Sequence, residues 1–305
     1  MLTAIRIADG AKVIGEYIEK DPNASYKCPT PKCGKTLIHH RSKAGLRIGH
    51  FAHKAGYADC PVRGEKLIHV RTKLDIYEYI RDGWGNSLEF IEPEFYIADG
   101  TIRPDVYLKT KSGTRIGIEV QASELTLDEI RRRTMKYHRE GVYVLWVLPF
   151  KFGRFYERLS DRWENLTTSF YNSGYIEKWV PRSKLRLHAF EQFIYWAYMK
   201  TLIMWDVEHK YSEGFIAATL SQHIGEETTY FNSDGQEQVG GGRRAKSLKV
   251  VDEVYGHVKF SHFKSSVISD EFAPGFLSYA IPPRHILHYS TKNKMERYQI
   301  WLPEL

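Results

Sequence analysis

Two carboxylates, Asp105 and Glu119, stand in strand-like segments and could bind a metal ion. Gln121 follows Glu119 by two residues, so on a strand both side chains point to the same face. A turn at 111–114 would make the two strands neighbouring and antiparallel, which can bring Asp105 near Glu119. Two carboxylates bind Mg²⁺ or Mn²⁺ through oxygen, and such a cation can activate water for phosphodiester hydrolysis. Paired surface carboxylates are the simpler alternative, but a charge in an otherwise apolar strand is costly.

A charged stripe precedes these strands, in a segment (64–82) whose apolar spacing predicts a helix. Glu65, His69 and Lys73 are spaced four residues apart and therefore share one helix face. Glu65 could add an oxygen ligand, whereas His69 and Lys73 could contact the scissile phosphate or position water. Lys73 could also supply a positive charge to the site, which the neutral Gln121 amide cannot do. An exposed, salt-bridged helix face would produce the same spacing.

A second helix is predicted at 127–140, and it is rich in arginine. Arg133 and Tyr137 are one turn apart, which suits contact with a backbone phosphate. Arg131 and Arg132 add positive charge beside them. We therefore predict that these four side chains bind DNA, and a solvated basic helix face is the alternative.

The three cysteines and two nearby histidines have the types and spacing of a zinc site. Cys28 and Cys33 would form one ligand pair, and zinc takes four N or S ligands in a tetrahedron. The second pair must come from His50, His53 and Cys60. We favour His53 and Cys60, which gives a site of three cysteines and one histidine. In the alternative, His50 and His53 both bind the metal and Cys60 does not. Buried cysteines with surface histidines would need no metal, but this loop-rich segment has little core and needs a cross-link.

Composition and charge limit the class of protein. The chain has 305 residues, with 42% hydrophobic and 27% charged residues, as expected for a folded protein with a core. No segment has the length and apolarity of a membrane helix, and the first residues lack a secretory apolar run, so we expect a cytoplasmic protein. The net charge is +7, and residues 1–63 hold 11 Lys and Arg against five Asp and Glu. A basic module indicates a polyanion partner, usually nucleic acid.

The predicted elements divide the chain into three regions. We expect a basic zinc-finger-like module at 1–63, an α/β core at 64–150 and a C-terminal α+β region of unknown role at 151–305. The core has the order α-β-β-β-α-β, which predicts a mixed sheet with helices on both faces. Its predicted strands lie at 88–96, 102–108, 116–120 and 142–148.

Outside the core the predictions are coarser. Two short strands are expected within residues 1–20, and no periodic element is expected within 21–63. In the C-terminal region we predict helices at 154–172 and 187–200, followed by short strands from residue 203. Residues 233–246 have the composition of a flexible, exposed loop.

The ordered motifs of residues 26–148 resemble the CoiA-like competence proteins. The pattern of Asp105, Glu119 and Gln121 is similar to the Asp…Glu-x-Lys arrangement of PD-(D/E)XK nucleases, with Gln in the Lys place. The resemblance implies a PD-(D/E)XK restriction-endonuclease-like core, a small metal-binding N-terminal region and a variable C-terminal region. It also implies a role in recombination of incoming single-stranded DNA, and it places Arg103 among the DNA contacts. The motifs are Cys28…Cys33, His50-Phe51-Ala52-His53, Cys60, Glu65…His69…Lys73, Arg103-Pro104-Asp105-Val106, Ile118-Glu119-Val120-Gln121, Arg133…Tyr137 and Val144-Leu145-Trp146.

Two functions from different classes fit these observations. The first is a DNA nuclease that depends on Mg²⁺ or Mn²⁺ and carries a structural Zn²⁺. The second is a non-catalytic DNA-binding protein that assists recombination on a nuclease fold. DNA, single-stranded or processed, is the expected partner in both, and recombination proteins are a further candidate partner. The Asp105 and Glu119 pair favours the enzyme, and Gln121 argues against it.

Overall fold

The computed structural model describes residues 1–31, 33–41, 48–54, 60, 65–158, 179–207, 214–225, 227–242, 244–272 and 280–289. In these ranges the chain is a mixed α/β protein with several sheets and few helices, as predicted. None of the described helices is long and apolar enough to cross a membrane. The α-helices are α1 (Leu67–Trp84), α2 (Leu127–Arg139), α3 (Phe152–Phe155) and α4 (Ala189–Ala197).

The strands fall into an N-terminal group and a longer series that begins after α1. The N-terminal strands are β1 (Thr3–Arg6), β2 (Lys12–Ile14), β3 (Tyr26–Lys27), β4 (Thr36–His40) and β5 (His50–His53). The next strands are β6 (Leu88–Pro93), β7 (Val106–Thr110), β8 (Arg115–Val120), β9 (Tyr143–Phe150), β10 (Tyr156–Arg158), β11 (Trp179–Pro181), β12 (Leu185–Arg186) and β13 (Thr201–Asp206). The last strands are β14 (Phe215–Ile224), β15 (Thr228–Phe231), β16 (Glu237–Gly240), β17 (Arg244–Val258), β18 (Phe263–Ile268), β19 (Glu271–Phe272), β20 (Ala280–Ile281) and β21 (Arg284–Tyr289).

The N-terminal strands form one antiparallel sheet in the order β2-β1-β3-β4-β5. Its small core contains Tyr26, Leu37 and Phe51, which are buried on one side of the sheet. The two strands predicted within residues 1–20 are confirmed by β1 and β2. The sequence does not predict β3, β4 and β5, because strands of two to five residues between Pro, Gly and Cys show little alternation.

The predicted α-β-β-β-α-β order is confirmed by α1, β6, β7, β8, α2 and β9. Strands β6, β7 and β8 pair antiparallel, and β8 then pairs parallel with β9, with α2 as the crossover between them. The Thr126 hydroxyl caps α2 by accepting the Glu129 N–H at 3.2 Å. Gly141, at φ +61°, lets the chain leave the helix and enter β9.

Strand β9 lies at the centre of a ten-stranded sheet and is covered on both faces. Val144 and Trp146 belong to the core on the α2 side, whereas Leu145 and Val147 belong to the core that includes α1 residues. Burial on both faces explains the continuous apolar run that predicts this strand. Its other neighbours are β13 and β21, both parallel to it, so the C-terminal region completes the same sheet.

Two predictions for the C-terminal region are wrong where the structure describes them. The helix predicted at 154–172 stops after α3, because residues 156–158 pair with β11 as strand β10; residues 159–172 lie outside the described residues. The loop predicted at 233–246 contains β16, which pairs with β15 as a hairpin, and the start of β17. Strand pairing outweighs local composition in both cases. The helix predicted at 187–200 is confirmed in its centre by α4.

Candidate active site and metal centre

Three carboxylates lie in one row across β6, β7 and β8. The register pairs Val106 with Ile118, so Asp105, just before β7, lies opposite Glu119 of β8. On the other side, the Glu94 N–H donates to the Asp105 carbonyl oxygen at 3.0 Å. The strand pairing inferred from the turn therefore aligns Asp105 with Glu119, and Glu94 extends the row.

The Asp105 side chain contacts the charged stripe at the start of α1, in which Glu65 lies two residues before the helix begins. Its Oδ2 lies 2.9 Å from His69 Nε2, and His69 Nδ1 lies 3.2 Å from Glu65 Oε1. Asp105 Oδ2 also accepts the Val120 N–H at 2.8 Å, which fixes the carboxylate against β8. One ligand atom each from Glu65, His69 and Asp105 lie within 4.8 Å of one another, so the three could share a metal ion. Two carboxylates and an imidazole suit a cation such as Mn²⁺, which accepts both oxygen and nitrogen ligands.

The charges of this group favour a protonated His69. Burial alone would lower the pKa of His69, but the Asp105 charge and hydrogen bond outweigh burial and raise the pKa to about 9. Burial also opposes ionisation of Asp105, yet the charges of His69 and Lys73 lower the pKa of Asp105 overall. A cation that takes a His69 nitrogen as ligand must therefore displace a proton.

Lys73 is fully buried and lies among three carboxylates. Its Nζ is 2.6 Å from Glu65 Oε1, 2.5 Å from Glu94 Oε1 and 3.6 Å from Asp105 Oδ1. Burial would lower the pKa of Lys73, but the charges of Glu94 and Glu65 outweigh it and raise the pKa. Lys73 is thus a permanent internal cation, held in ion pairs instead of projecting toward a phosphate in solvent.

Glu94 and Arg103 complete the buried network on the β6 side. Glu94 is fully buried, and Arg103 Nη1 lies 3.5 Å from Glu94 Oε2. The Arg103 side chain is only 14% exposed and also lies 4.0 Å from Glu65 Oε1. Contact between Arg103 and DNA stays a prediction. Sequence reasoning misses Glu94 because no spacing distinguishes it from Glu89 and Glu92 on the same predicted strand.

Glu119 is held from the opposite helix, α2. Arg133 Nη2 donates to Glu119 Oε2, and the Tyr137 hydroxyl donates to Glu119 Oε1. Gly117 makes this possible, because a Cβ there would lie 3.0 Å from the Tyr137 ring. Burial raises the pKa of Glu119, although the Arg133 charge opposes the increase. The Arg133 guanidinium also lies over the Trp146 ring, 5.0 Å from its centroid.

These contacts change the interpretation of two predicted site features. Arg133 and Tyr137 are directed to Glu119 and not to solvent, so their contact with DNA phosphates stays a prediction. Among the described residues, the group that could hold a metal with Asp105 contains Glu65 and His69 and does not include Glu119. A cation between Asp105 and Glu119 would compete with the bonds that Arg133 and Tyr137 donate.

The remaining predicted residues lie around this row. Arg132 is 56% exposed and pairs with Glu129, one turn earlier on α2, while Arg131 lies 3.9 Å from Asp128. Gln121 is buried, and its amide donates to the Ser123 carbonyl oxygen. Contact of Arg131 and Arg132 with DNA phosphates stays a prediction, and so does a water-orienting role for Gln121.

The three cysteines and one histidine form a second metal-binding arrangement. The Cys28 and Cys60 sulfurs are 3.8 Å apart, and Cys33 Sγ lies 3.4 Å from His53 Nε2. All four ligand atoms lie within 4.8 Å of one another. Burial raises the pKa of Cys28 to about 12, so its thiol stays protonated unless a metal ion takes the proton's place. Three sulfurs and an imidazole fit Zn²⁺, which accepts this ligand set tetrahedrally.

The choice between the two histidines follows from β5. His53 lies in the cysteine cluster, whereas His50, three residues earlier on the strand, donates from Nδ1 to the Ile48 carbonyl oxygen at 2.9 Å. The His50 ring also stacks on His40, with centroids 5.3 Å apart. The geometry therefore favours His53, as the sequence does.

Comparison with protein families bears on the acidic site. Residues 65–206 match the family model of the nuclease-like domain of competence protein CoiA. The match confirms the predicted resemblance over just under half of the chain, from Glu65 to the end of β13. The matched region thus contains Glu65, Asp105 and Glu119, while the cysteine cluster precedes it. A search of curated proteins and a search of solved structures each found no match.

Proposed function

We propose that this protein is a divalent-metal-dependent deoxyribonuclease with a PD-(D/E)XK-type core. The observation that carries the proposal is the cluster of Glu65, His69 and Asp105 within a region that matches the CoiA nuclease-like domain. The α-β-β-β-α-β order, with Asp105 and Glu119 on adjacent strands, supports the finer assignment.

Each residue of the site has a separate task in this proposal. Glu65, His69 and Asp105 would hold the cation, which when bound supplies activated water and charge for the leaving oxygen. Glu119, released from α2, could serve as a further ligand. Lys73 keeps the buried carboxylates ionised, and the Gln121 amide would orient water by hydrogen bonding.

Two further parts of the molecule serve DNA binding in this proposal. The cysteine cluster holds Zn²⁺ as a structural ion, which stabilises the small N-terminal sheet. The basic charge of residues 1–63 and the exposed Arg132 bind phosphates without reading bases. A role in processing or recombining DNA in the cytoplasm, as in competence, is part of the same proposal.

A cleavage assay on single- and double-stranded DNA tests the activity, with Mg²⁺, Mn²⁺ or EDTA present. We expect metal-dependent cleavage that Asp105→Asn abolishes, since the amide keeps the shape of the side chain and loses its charge. Asp128→Asn is the matched control, because Asp128 is 96% exposed on α2 and should be neutral. Cleavage that survives both Asp105→Asn and Glu119→Gln would place the active site elsewhere.

A DNA-binding accessory protein is the second candidate. It is favoured by Gln121 in the usual Lys place and by the bonds that Arg133 and Tyr137 make to Glu119. In that case the wild-type protein binds DNA with a steep dependence on salt. It would then cleave none of the substrates with either metal, a result that would replace the nuclease proposal.

A further inference from the structure

Glu94 combines complete burial, a charge and an unusual backbone conformation. It follows β6 directly and has φ +52°, in the left-handed region that residues other than glycine seldom adopt. Such a conformation costs energy and persists only where the surroundings fix it. Here the surroundings are the backbone of the N-terminal sheet and the side chain of Lys73, which contact the Glu94 carboxylate.

The Glu94 carboxylate joins the N-terminal sheet to α1. Its Oε1 accepts the Leu2 N–H at 3.0 Å and lies 2.5 Å from Lys73 Nζ. Its Oε2 accepts the Thr3 N–H at 3.0 Å and the Thr3 hydroxyl at 2.8 Å. The Glu94 carbonyl oxygen accepts from Lys12 Nζ of β2 at 3.1 Å. One residue therefore binds two strands of the N-terminal sheet and the buried cation of the acidic site.

Lys73 lies closer to Glu94 than to Asp105. Lys73 Nζ is 2.5 Å from Glu94 Oε1 but 3.6 Å from Asp105 Oδ1, so Asp105 is its more distant partner. Without the Glu94 charge, Lys73 would lose its nearest partner, and its positive charge beside Asp105 would be less compensated. An excess positive charge beside Asp105 opposes the approach of a second cation.

We propose that Glu94 is a positioning residue, which clamps β1 against the CoiA nuclease-like region and holds Lys73 back from Asp105. Asp105 is thereby kept available to a divalent cation, although Glu94 need not touch that cation. The inference rests on the proposed cation site, and it adds a link between that site and the N-terminal sheet.

The first test is a calorimetric titration of the zinc-loaded full chain with Mn²⁺, without DNA. Glu94→Gln should weaken Mn²⁺ binding about tenfold or more, the size of effect that a neighbouring charge has on a carboxylate's proton affinity. Glu92→Gln is the matched control: it lies on the same strand, pairs with Lys12 and should leave Mn²⁺ affinity unchanged. Hydrogen exchange supplies a second readout, because the Leu2 and Thr3 amides should exchange faster in Glu94→Gln and not in Glu92→Gln.

A double variant tests whether Glu94 acts through Lys73. Adding Lys73→Met to Glu94→Gln should restore Mn²⁺ affinity to within about threefold of wild type, because interacting residues give non-additive effects. If Glu94→Gln does not fold, Glu94→Asp replaces it, since the shorter side chain keeps the charge and cannot reach β1 and Lys73 together. A Glu94→Asp protein with wild-type affinity and wild-type β1 exchange overturns the inference.

The outcomes separate this inference from the proposed nuclease. If the wild-type protein binds Mn²⁺ and Glu94→Gln binds it equally well, the positioning role is overturned and the nuclease proposal stands. Mn²⁺ binding that responds to Glu94→Gln, in a protein that cleaves no DNA, supports the positioning role and overturns the nuclease. A wild-type protein that binds no Mn²⁺ overturns both.

Discussion

Arg133 offers a direct test of the internal ion pair on Glu119. Arg133→Met removes the guanidinium while keeping much of the side-chain volume, and among the described residues it leaves the buried Glu119 carboxylate with the Tyr137 hydroxyl as its donor. Removing one partner of a buried pair costs about 3–5 kcal/mol. Arg133 is 26% exposed, so water recovers part of that loss and we expect about 3 kcal/mol. A solvated arginine on a basic face would instead change the free energy of unfolding by less than about 0.5 kcal/mol.

The loss of unfolding free energy in Arg133→Met should depend on pH, because it reflects the ionisation of Glu119. Burial already raises the pKa of Glu119, and removal of the Arg133 charge raises it further. A carboxyl whose pKa is raised by folding destabilises the protein as pH rises through that pKa, so the loss should be larger at pH 7 than at pH 5. Urea unfolding at the two pH values measures it, with the exposed Arg132→Met as the control. A loss below about 1 kcal/mol at pH 7, or an equal loss at both pH values, refutes the buried ion pair.

Three other perturbations follow from the same geometry. Cys28→Ser and Cys33→Ser should each abolish zinc binding, as elemental analysis of the purified protein will show, and wild-type zinc content in either variant would remove the site. Burial raises the pKa of Asp75 to about 6, so Asp75→Asn should stabilise the protein at pH 7 and give little gain at pH 4. Because Asp75 is 34% exposed, we expect Asp75→Asn to raise the free energy of unfolding at pH 7 by only about 1–2 kcal/mol, measured by thermal unfolding. The control Asp82→Asn, at an exposed position, should give no such gain. Gln121→Lys should preserve or raise the cleavage rate, and a large decrease would show that the amide has a role a lysine cannot fill.

The core was predictable because its elements are long and their periodicity is clear. The helix with Val70 and Leu74 on one stripe and the apolar run from Val144 to Val147 need no tertiary information to be recognised. The N-terminal strands β3 to β5 are too short for such a pattern to emerge. Residues 156–158 form a strand only because residues 179–181, far along the chain, are there to pair with them.

The site was predictable where residue type alone restricts the chemistry. Cysteine and histidine are uncommon enough that four of them at suitable spacing indicate a metal ligand set, and the structure brings Cys28, Cys33, His53 and Cys60 together. Spacing on a helix is less informative, because it shows which residues share a face and not what that face meets. Arg133 therefore had an apparent role in DNA contact, while its partner in the structure is a carboxylate beneath the helix.

The parallel pairing of β9 with β13 and β21 affects where this chain can be divided. A fragment that ends at residue 150 keeps every acidic residue of the site, yet it strips β9 of its neighbours along one edge. That edge is apolar and buried in the whole protein, and an uncovered strand of this kind pairs readily with other chains. The isolated core should therefore aggregate, whereas a fragment extending through β13 retains a partner for the end of β9. The protection of β9 thus depends on strands that lie more than fifty residues further along the sequence.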